Sequence, residues 1–243
     1  MDYRERPPAA AIAGLIKCFW TLEAKGQSGA WIVHEATPDG CIEIIRREAG
    51  RSRWGGEQPT AFVAGLNDRA VAFEISADAH FTAVRLWPWA WAVVSDLPIA
   101  GLRNRWMPAD AAGAAEIGDL LADPDAAEHW LADRIERAPA GLAGIGMRLA
   151  AARSVAEMRE ATGLGARALQ RWFTAQVGVP PRHYLRLLRF QDAFAEVGGE
   201  GRLADQAATH GFADQAHMAR EFRTMAGVPA GQARRRARGP FLR

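Results

Sequence analysis

Apolar positions along this chain follow two different periods, and the change between them falls past its middle. Up to about residue 95 they come in short runs and alternations, the pattern of strands. Strands are predicted over 15–22, 31–35, 40–45, 61–64, 70–75 and 81–86, after an extended, proline-marked entry over 3–11. Thr37-Pro-Asp-Gly40 and Leu66-Asn-Asp-Arg69 are turn sequences between them. Short strands at this spacing make a barrel or a sandwich. Residues 96–108 carry two prolines and predict a turn with irregular pieces. Helices are predicted over 110–121 and 125–137, with Pro124 suited to a helix start. Trp130, Leu131 and Ile135 give the second a partial apolar stripe, for a dimer contact or for docking on the strands. The glycine-rich 139–146 predicts the end of a first domain and a mobile joint.

Beyond the joint the period is helical. Ser154 with Glu157 three residues on forms a capping box for a helix carrying Val155 and Met158. Gly163-Leu-Gly165 breaks it, and 166–177 predicts the next helix. That helix buries Leu169, Trp172 and Phe173 and exposes Arg167, Gln170 and Arg171. Gly178-Val-Pro-Pro181 then opens a longer helix, 182–197, with Tyr184, Leu185, Leu188 and Phe194 on its apolar side, closed by Gly198-Gly-Glu-Gly201. Residues 202–232 repeat the theme. A short helix carries Leu203, Ala204 and Ala207, Gly211 turns the chain, and Asp214 caps a helix that buries Met218, Phe222 and Met225. Gln215, His217, Arg220 and Arg223 stay on or near the other side. One such pair is also what an ordinary helical hairpin with a solvated face looks like. Here LQRWFTAQVGVP and MAREFRTMAGVP share an Arg, a Phe and a Gly-Val-Pro at the same offsets, an internal repeat. Two helix-turn-helix units on a rigid connecting helix can reach major-groove faces roughly 34 Å apart.

Charge sharpens this division. Residues 1–150 hold 15 Lys or Arg against 20 Asp or Glu; residues 151–243 hold 15 Arg, no Lys and 8 acids. A net +7 beside a net −5 suits a C-terminal module that meets a polyanion. The 243 residues, 49% of them apolar, are enough for two domains with real cores. No apolar run is long enough for a membrane span, and the first residues lack the order of an export signal. A cytoplasmic protein with reduced thiols is expected.

Little in the chain speaks for catalysis. Cys18, His34 and Cys41 lack paired metal-ligand spacing, and both cysteines sit in apolar strand patterns where a buried thiol is the ordinary outcome. There is no nucleophile elbow, phosphate loop or nucleotide fingerprint. No enzyme activity, metal or cofactor is expected. Trp20, Trp31 and Trp87 are candidates for a ligand cage in the strand-rich domain, although tryptophans filling a small core are commoner. A cage for a drug-sized molecule needs at least about 300 Å³ of enclosed volume.

The C-terminal motifs resemble the AraC family of bacterial transcriptional regulators. The likeness covers about residues 148–235 and is carried by Gly211-Phe-Ala-Asp-Gln-Ala-His-Met-Ala-Arg-Glu-Phe222 with Gly227, and by Leu169, Arg171, Phe173, Gly178, Tyr184 and Leu188-Arg-Phe190. The N-terminal part is similar, more loosely, to a sensor domain of one branch, through Cys18-Phe-Trp20, Pro38-Asp-Gly-Cys-Ile-Glu43 and Val84-Arg-Leu86 with Pro88. The resemblance implies a two-domain α+β protein, a cupin-like β-barrel followed by an all-α domain of two helix-turn-helix units joined by a long helix. It implies base reading by Arg167, Gln170 and Arg171 in the first unit and by Gln215, Ala216, His217 and Arg220 in the second. Arg159 falls where the family packs a small residue, Gly165 replaces a serine cap, Trp89 replaces a glycine and Ala233 replaces an aromatic.

Chemistry divides the cations by role. Arg and Gln suit bidentate contacts to guanine and adenine, whereas Arg182, Arg186, Arg223, Arg234, Arg235 and Arg236 suit phosphates. His217 is open between base edge, phosphate and surface. The expected organisation is a β-rich sensor domain at 1–124, a helix and linker at 125–147, the DNA-binding domain at 148–236 and a tail at 237–243. Double-stranded DNA is the expected partner. A small-molecule effector, a second copy of the chain and RNA polymerase stay open for the N-terminal domain. A helical protein-binding or scaffolding module is the competing class, and it would present a more apolar face than these arginines and glutamines provide.

Overall fold

In the computed structural model the described residues are 1–26, 29–197 and 202–236. The closing glycine run at 198–201 and the tail at 237–243 lie outside them.

Among the described residues nine strands form two antiparallel sheets. The larger runs in the order β1 (Asp2–Arg6), β2 (Ile16–Glu23), β8 (His80–Leu86), β4 (Ile42–Ala49), β6 (Ala61–Ala64), β9 (Trp106–Pro108). The smaller runs β3 (Trp31–Ala36), β7 (Val71–Ser76), β5 (Ser52–Arg53). Alternation sends each strand's residues to two faces. Cys18, Trp20, Leu22, Ile45, Phe62, Ile75 and Phe81 pack in one cluster, while Ile16, Phe19, Ile42, Ile44, Val63, Val84 and Leu86 join a second cluster with the helices. Central β8 serves both and is buried from Phe81 to Leu86. Among the described residues the two sheets do not pair with each other, so the domain is an open two-sheet form consistent with the expected cupin-like barrel. β5 spans only two residues and pairs with β7; Gly55, Gly56 and Pro59 interrupt the chain before it enters the larger sheet at β6.

Among the described residues the α-helices are α1 (Trp91–Val94), α2 (Ala115–Leu120), α3 (Pro124–Glu136), α4 (Leu142–Ala151), α5 (Val155–Thr162), α6 (Ala166–Gln176), α7 (Pro181–Val197), α8 (Leu203–Thr209), α9 (Gln215–Ala226) and α10 (Ala230–Arg236). α3 starts as predicted, with Pro124 at its first position and Asp123 capping it. The mobile joint is replaced by α4. Glycine is a poor helix former, but here its missing Cβ is what the packing requires. A Cβ on Gly146 would sit 2.0 Å from the Gly14 carbonyl oxygen, and one on Gly14 would sit 1.9 Å from the Ala143 carbonyl oxygen. The same Gly14 carbonyl accepts from Trp89 Nε1 at 2.8 Å. Helix, loop and tryptophan therefore lock at one point. The apolar core continues across it from Ile12 to Ala233.

Capping distinguishes the helices that follow. Ser154 Oγ accepts from Glu157 N at 3.2 Å, and the Glu157 carboxylate accepts from Arg153 N at 2.7 Å. Asp214 accepts from His217 N at 2.6 Å, whereas Gly165 offers α6 no side-chain cap.

Two outcomes follow for stability. Gly146→Ala forces backbone or Trp89 to shift and should cost roughly 1–3 kcal/mol in a urea titration; an unchanged midpoint contradicts the close packing. Asp214→Ala should cost about 0.5–2 kcal/mol, while Gly165→Ser should gain a few tenths at most. Equal effects at the two positions would contradict the assigned caps.

Candidate nucleic-acid interface

The C-terminal helices build two similar units on one spine. In the first, Met158 and Ala161 of α5 meet Leu169 and Phe173 of α6 in the core. In the second, Ala207 of α8 meets Met218, Phe222 and Met225 of α9. α7 holds both. Its Tyr184 ring packs on Phe173 at 5.8 Å, and its Phe190 and Phe194 pack on Phe222 at 5.0 and 6.4 Å. Gly163 and Gly211 turn the two units with φ of 69° and 68°, where a Cβ would be strained.

The turns differ by one residue. From glycine to N-cap is two positions in the first unit, Gly163 to Gly165, and three in the second, Gly211 to Asp214. Counting back from the second helices therefore matches Met158, not Arg159, with Ala207. Met158 and Ala207 are both buried and Arg159 is exposed, so Met158, not Arg159, occupies the packing point where the family places a small residue. The first unit is packed as fully as the second.

On the outer side, Arg167, Gln170 and Arg171 of α6 and Gln215, Ala216 and Arg220 of α9 are exposed. His217 is placed differently. Its Nδ1 accepts from Ala213 N at 3.2 Å and its ring stands edge-on to Phe212 at 5.6 Å, which turns it back onto its own helix start. Among the phosphate candidates, Arg182 and Arg223 are exposed. Arg186 forms a two-pronged pair with Glu221 at 2.9 and 3.0 Å and ties α7 to α9. The side chains of Arg234, Arg235 and Arg236 lie outside the described residues.

The helical part sits directly on the strands. Tyr184 Oη donates to the Gly40 carbonyl at 3.1 Å, and Gln191 Nε2 donates to the Pro38 carbonyl. Trp89 meets the Tyr184 ring edge at 5.8 Å, and Ala70 N donates to the Met225 carbonyl at 2.6 Å. Asp68 takes hydrogen bonds from Arg103 and Asn104 and lies 3.5 Å from His183 of α7. Burial works against the Asp68 carboxylate, but those donors outweigh it and hold its pKa below the usual range.

The loop between β3 and β4 also reaches a buried ionic cluster. The Arg85 guanidinium lies 2.8 Å from Glu43, 2.9 Å from Asp39 and 2.9 Å from Glu5. Burial opposes its charge, and the Glu43 and Asp39 carboxylates more than offset this, so Arg85 is held firmly protonated. Burial likewise pushes the Glu43 carboxyl up against the pull of Arg85. The two cysteines are buried and free; burial raises the Cys18 thiol to about 12 and Cys41 in the same direction, so neither is a ready nucleophile.

The three candidate tryptophans do not form one cage. Trp20 lines an interior cavity of about 80 Å³ between the sheets. Trp31 lies beneath Arg51 and Arg53, and Trp87 stacks on Trp89 at 5.5 Å. The cavity falls well short of the volume expected for a drug-sized ligand. Its aromatic partners are Trp54, Phe62, Phe73 and Phe81, which strand alternation signals only once the sheet pairing is known. Among the described residues no group of three or more His, Cys, Asp or Glu could hold a metal, and no helix is long and apolar enough to cross a membrane.

Residues 158–236 match the model of a helix-turn-helix domain, and residues 4–108 match that of a domain of unknown function, DUF6597. Among solved structures the chain is similar to ToxT from Vibrio cholerae O395, at 9% identity and a TM-score of 0.46 over 91% of this chain and 98% of that one. A structure of the same protein bound to (E)-4-(8-methylnaphthalen-1-yl)but-3-enoic acid gives 10% identity and a TM-score of 0.45, with 90% and 99% covered. An unsaturated fatty acid-bound ToxT from Vibrio cholerae strain SCE256 gives 11% and 0.41, with 87% and 96% covered. No curated protein matches the chain. With two helix-turn-helix units on one connecting helix and the motif from Gly211 to Phe222, residues 158–236 form a helix-turn-helix domain of the AraC type.

Proposed function

We propose that this regulator binds double-stranded DNA in a sequence-specific way through both second helices, α6 and α9, laid in successive major-groove turns. One observation carries this reading: both helices bury a matching apolar side against α7 and expose Arg and Gln on the other. Arg167, Gln170, Arg171, Gln215, Ala216 and Arg220 read bases. Arg182 and Arg223 hold phosphate, as do Arg234, Arg235 and Arg236, whose charge is carried by the sequence alone. His217 and Arg186, already engaged within the domain, position the second unit. The DNA-binding domain is residues 148–236, and residues 1–124 form the controlling domain. Control has a physical route, because the loop bearing Pro38, Asp39 and Gly40 touches α7 on one side and Arg85 on the other. A molecule or partner that moves this loop changes how the two units are held.

A bidentate Arg contact is worth about 1–3 kcal/mol of discrimination. With both units equally packed, Arg171→Ala and Arg220→Ala should each lose a comparable amount of that order, at a different base position. Arg182→Ala should weaken all sequences alike and lower the salt slope by roughly one. Competition binding against single-base variants of a selected site, at fixed salt, measures both. Random duplex competing as well as the selected site would overturn sequence-specific binding. Uniform weakening by Arg171→Ala or Arg220→Ala would move that residue to the phosphate set.

A further inference from the structure

The interior between the sheets has a composition that selects a ligand. Beside the cavity of about 80 Å³ lies a second of about 40 Å³, and the two share Trp20, Ala36, Glu43, Ala64 and Asn67 in their walls. Together they enclose less than the roughly 150 Å³ of an engineered apolar cavity that takes one benzene ring, so a ligand here has no more than a single ring. The larger part is aromatic, with Trp54, Phe62, Phe73 and Phe81 around it. The smaller part is polar, and its groups are mostly acceptors. Asn67 Oδ1 is buried and accepts no hydrogen bond. Glu43 presents a carboxylate that already receives Trp20 Nε1 at 3.0 Å. Of the residues lining either part, Arg85 is the one cation, and Glu43, Asp39 and Glu5 surround it. Lys17, whose charge also reaches this cluster, lies over the Trp87 ring at 5.3 Å and lines neither cavity. An incoming carboxylate would meet three acids and a guanidinium with its donors taken. An incoming donor would meet a free amide oxygen and a carboxylate.

We propose that this interior binds a single-ring arylalkylamine, ring against Trp20, Phe62 and Phe73, nitrogen toward Asn67 and Glu43, and that it rejects the matching carboxylate. The inference deepens the controlling role given above to the N-terminal domain and rests on that reading only for its effect on DNA. Asp39 links the two, since it pairs with Arg85 beside the cavity and sits between the Pro38 and Gly40 carbonyls that hold α7.

Benzylamine and benzoate are the probes, titrated into the full-length protein with tryptophan fluorescence and calorimetry as readouts. Benzylamine should bind saturably and at least roughly tenfold more tightly than benzoate, because a buried unpaired acceptor discriminates against a ligand that cannot donate. Asn67→Leu should remove most of that preference while the unfolding midpoint shows the fold retained. If Asn67→Leu does not fold, Asn67→Asp serves in its place and should strengthen the preference for the amine. Benzoate binding as well or better, or no saturable binding of either probe, overturns the assignment. DNA affinity measured with and without benzylamine separates the two readings: an amine that binds and leaves DNA affinity unchanged keeps the site and removes the controlling role.

Discussion

The packing of α7 is the constraint on which the rest of this molecule depends. Within its seventeen residues Tyr184 touches the first unit, Phe190 and Phe194 touch the second, and Tyr184 with Gln191 binds the strand domain. A helix of that length spans about 26 Å and bends little. The distance and the rotation between α6 and α9 are therefore set by a single buried element. In the proposed function that rigidity lets two base-reading surfaces act as one, because the second contact is made without a fresh entropic cost.

The same packing ties the N-terminal domain to the readers. Where domain interfaces are small and polar, motion between the parts is the ordinary condition. Here the apolar core runs without a break from Ile12 through Trp89 and Tyr184 to Ala233. Beside this shared core, polar contacts join the strands to the helices at the Pro38 and Gly40 carbonyls, at Asp68 against His183, and at Ala70 against Met225. Pro38, Gly40, Asp68 and Ala70 all lie in the turns that leave β3 or enter β7, next to the buried Arg85 cluster or the interior cavity. The proposed control and the proposed recognition share this geometry.

Periodicity carried most of the fold because both domains obey it. The strands alternate and the second helices bury every third or fourth residue, so Leu169, Phe173, Met218 and Phe222 could be assigned to the core directly. What the sequence concealed has specific causes. α4 was hidden because a glycine-rich stretch reads as a joint, and its glycines make sense only opposite Gly14. Arg159 was misplaced because counting from the glycine ignores the shorter first turn. His217 shares the helix period of a reader, yet a bond from Ala213 turns it inward. Closure of the sheet into a barrel depends on which edges pair, and that is not written in the alternation. The cavity, likewise, exists only where Trp20 of β2 faces Phe73 of β7 across the gap.

The central claim is that α7 fixes two base-reading helices at one helical turn's separation. Binding to a selected site carrying both recognition boxes, compared with the same site after insertion of about half a helical turn, roughly five base pairs, between them, tests it most directly. The insertion places the boxes on opposite faces of the duplex, out of reach of units held by one stiff helix. Specific affinity should fall to that of a site with a single box. Unchanged affinity across the insertion would mean that the units move independently or that only one of them reads DNA, and would contradict the account.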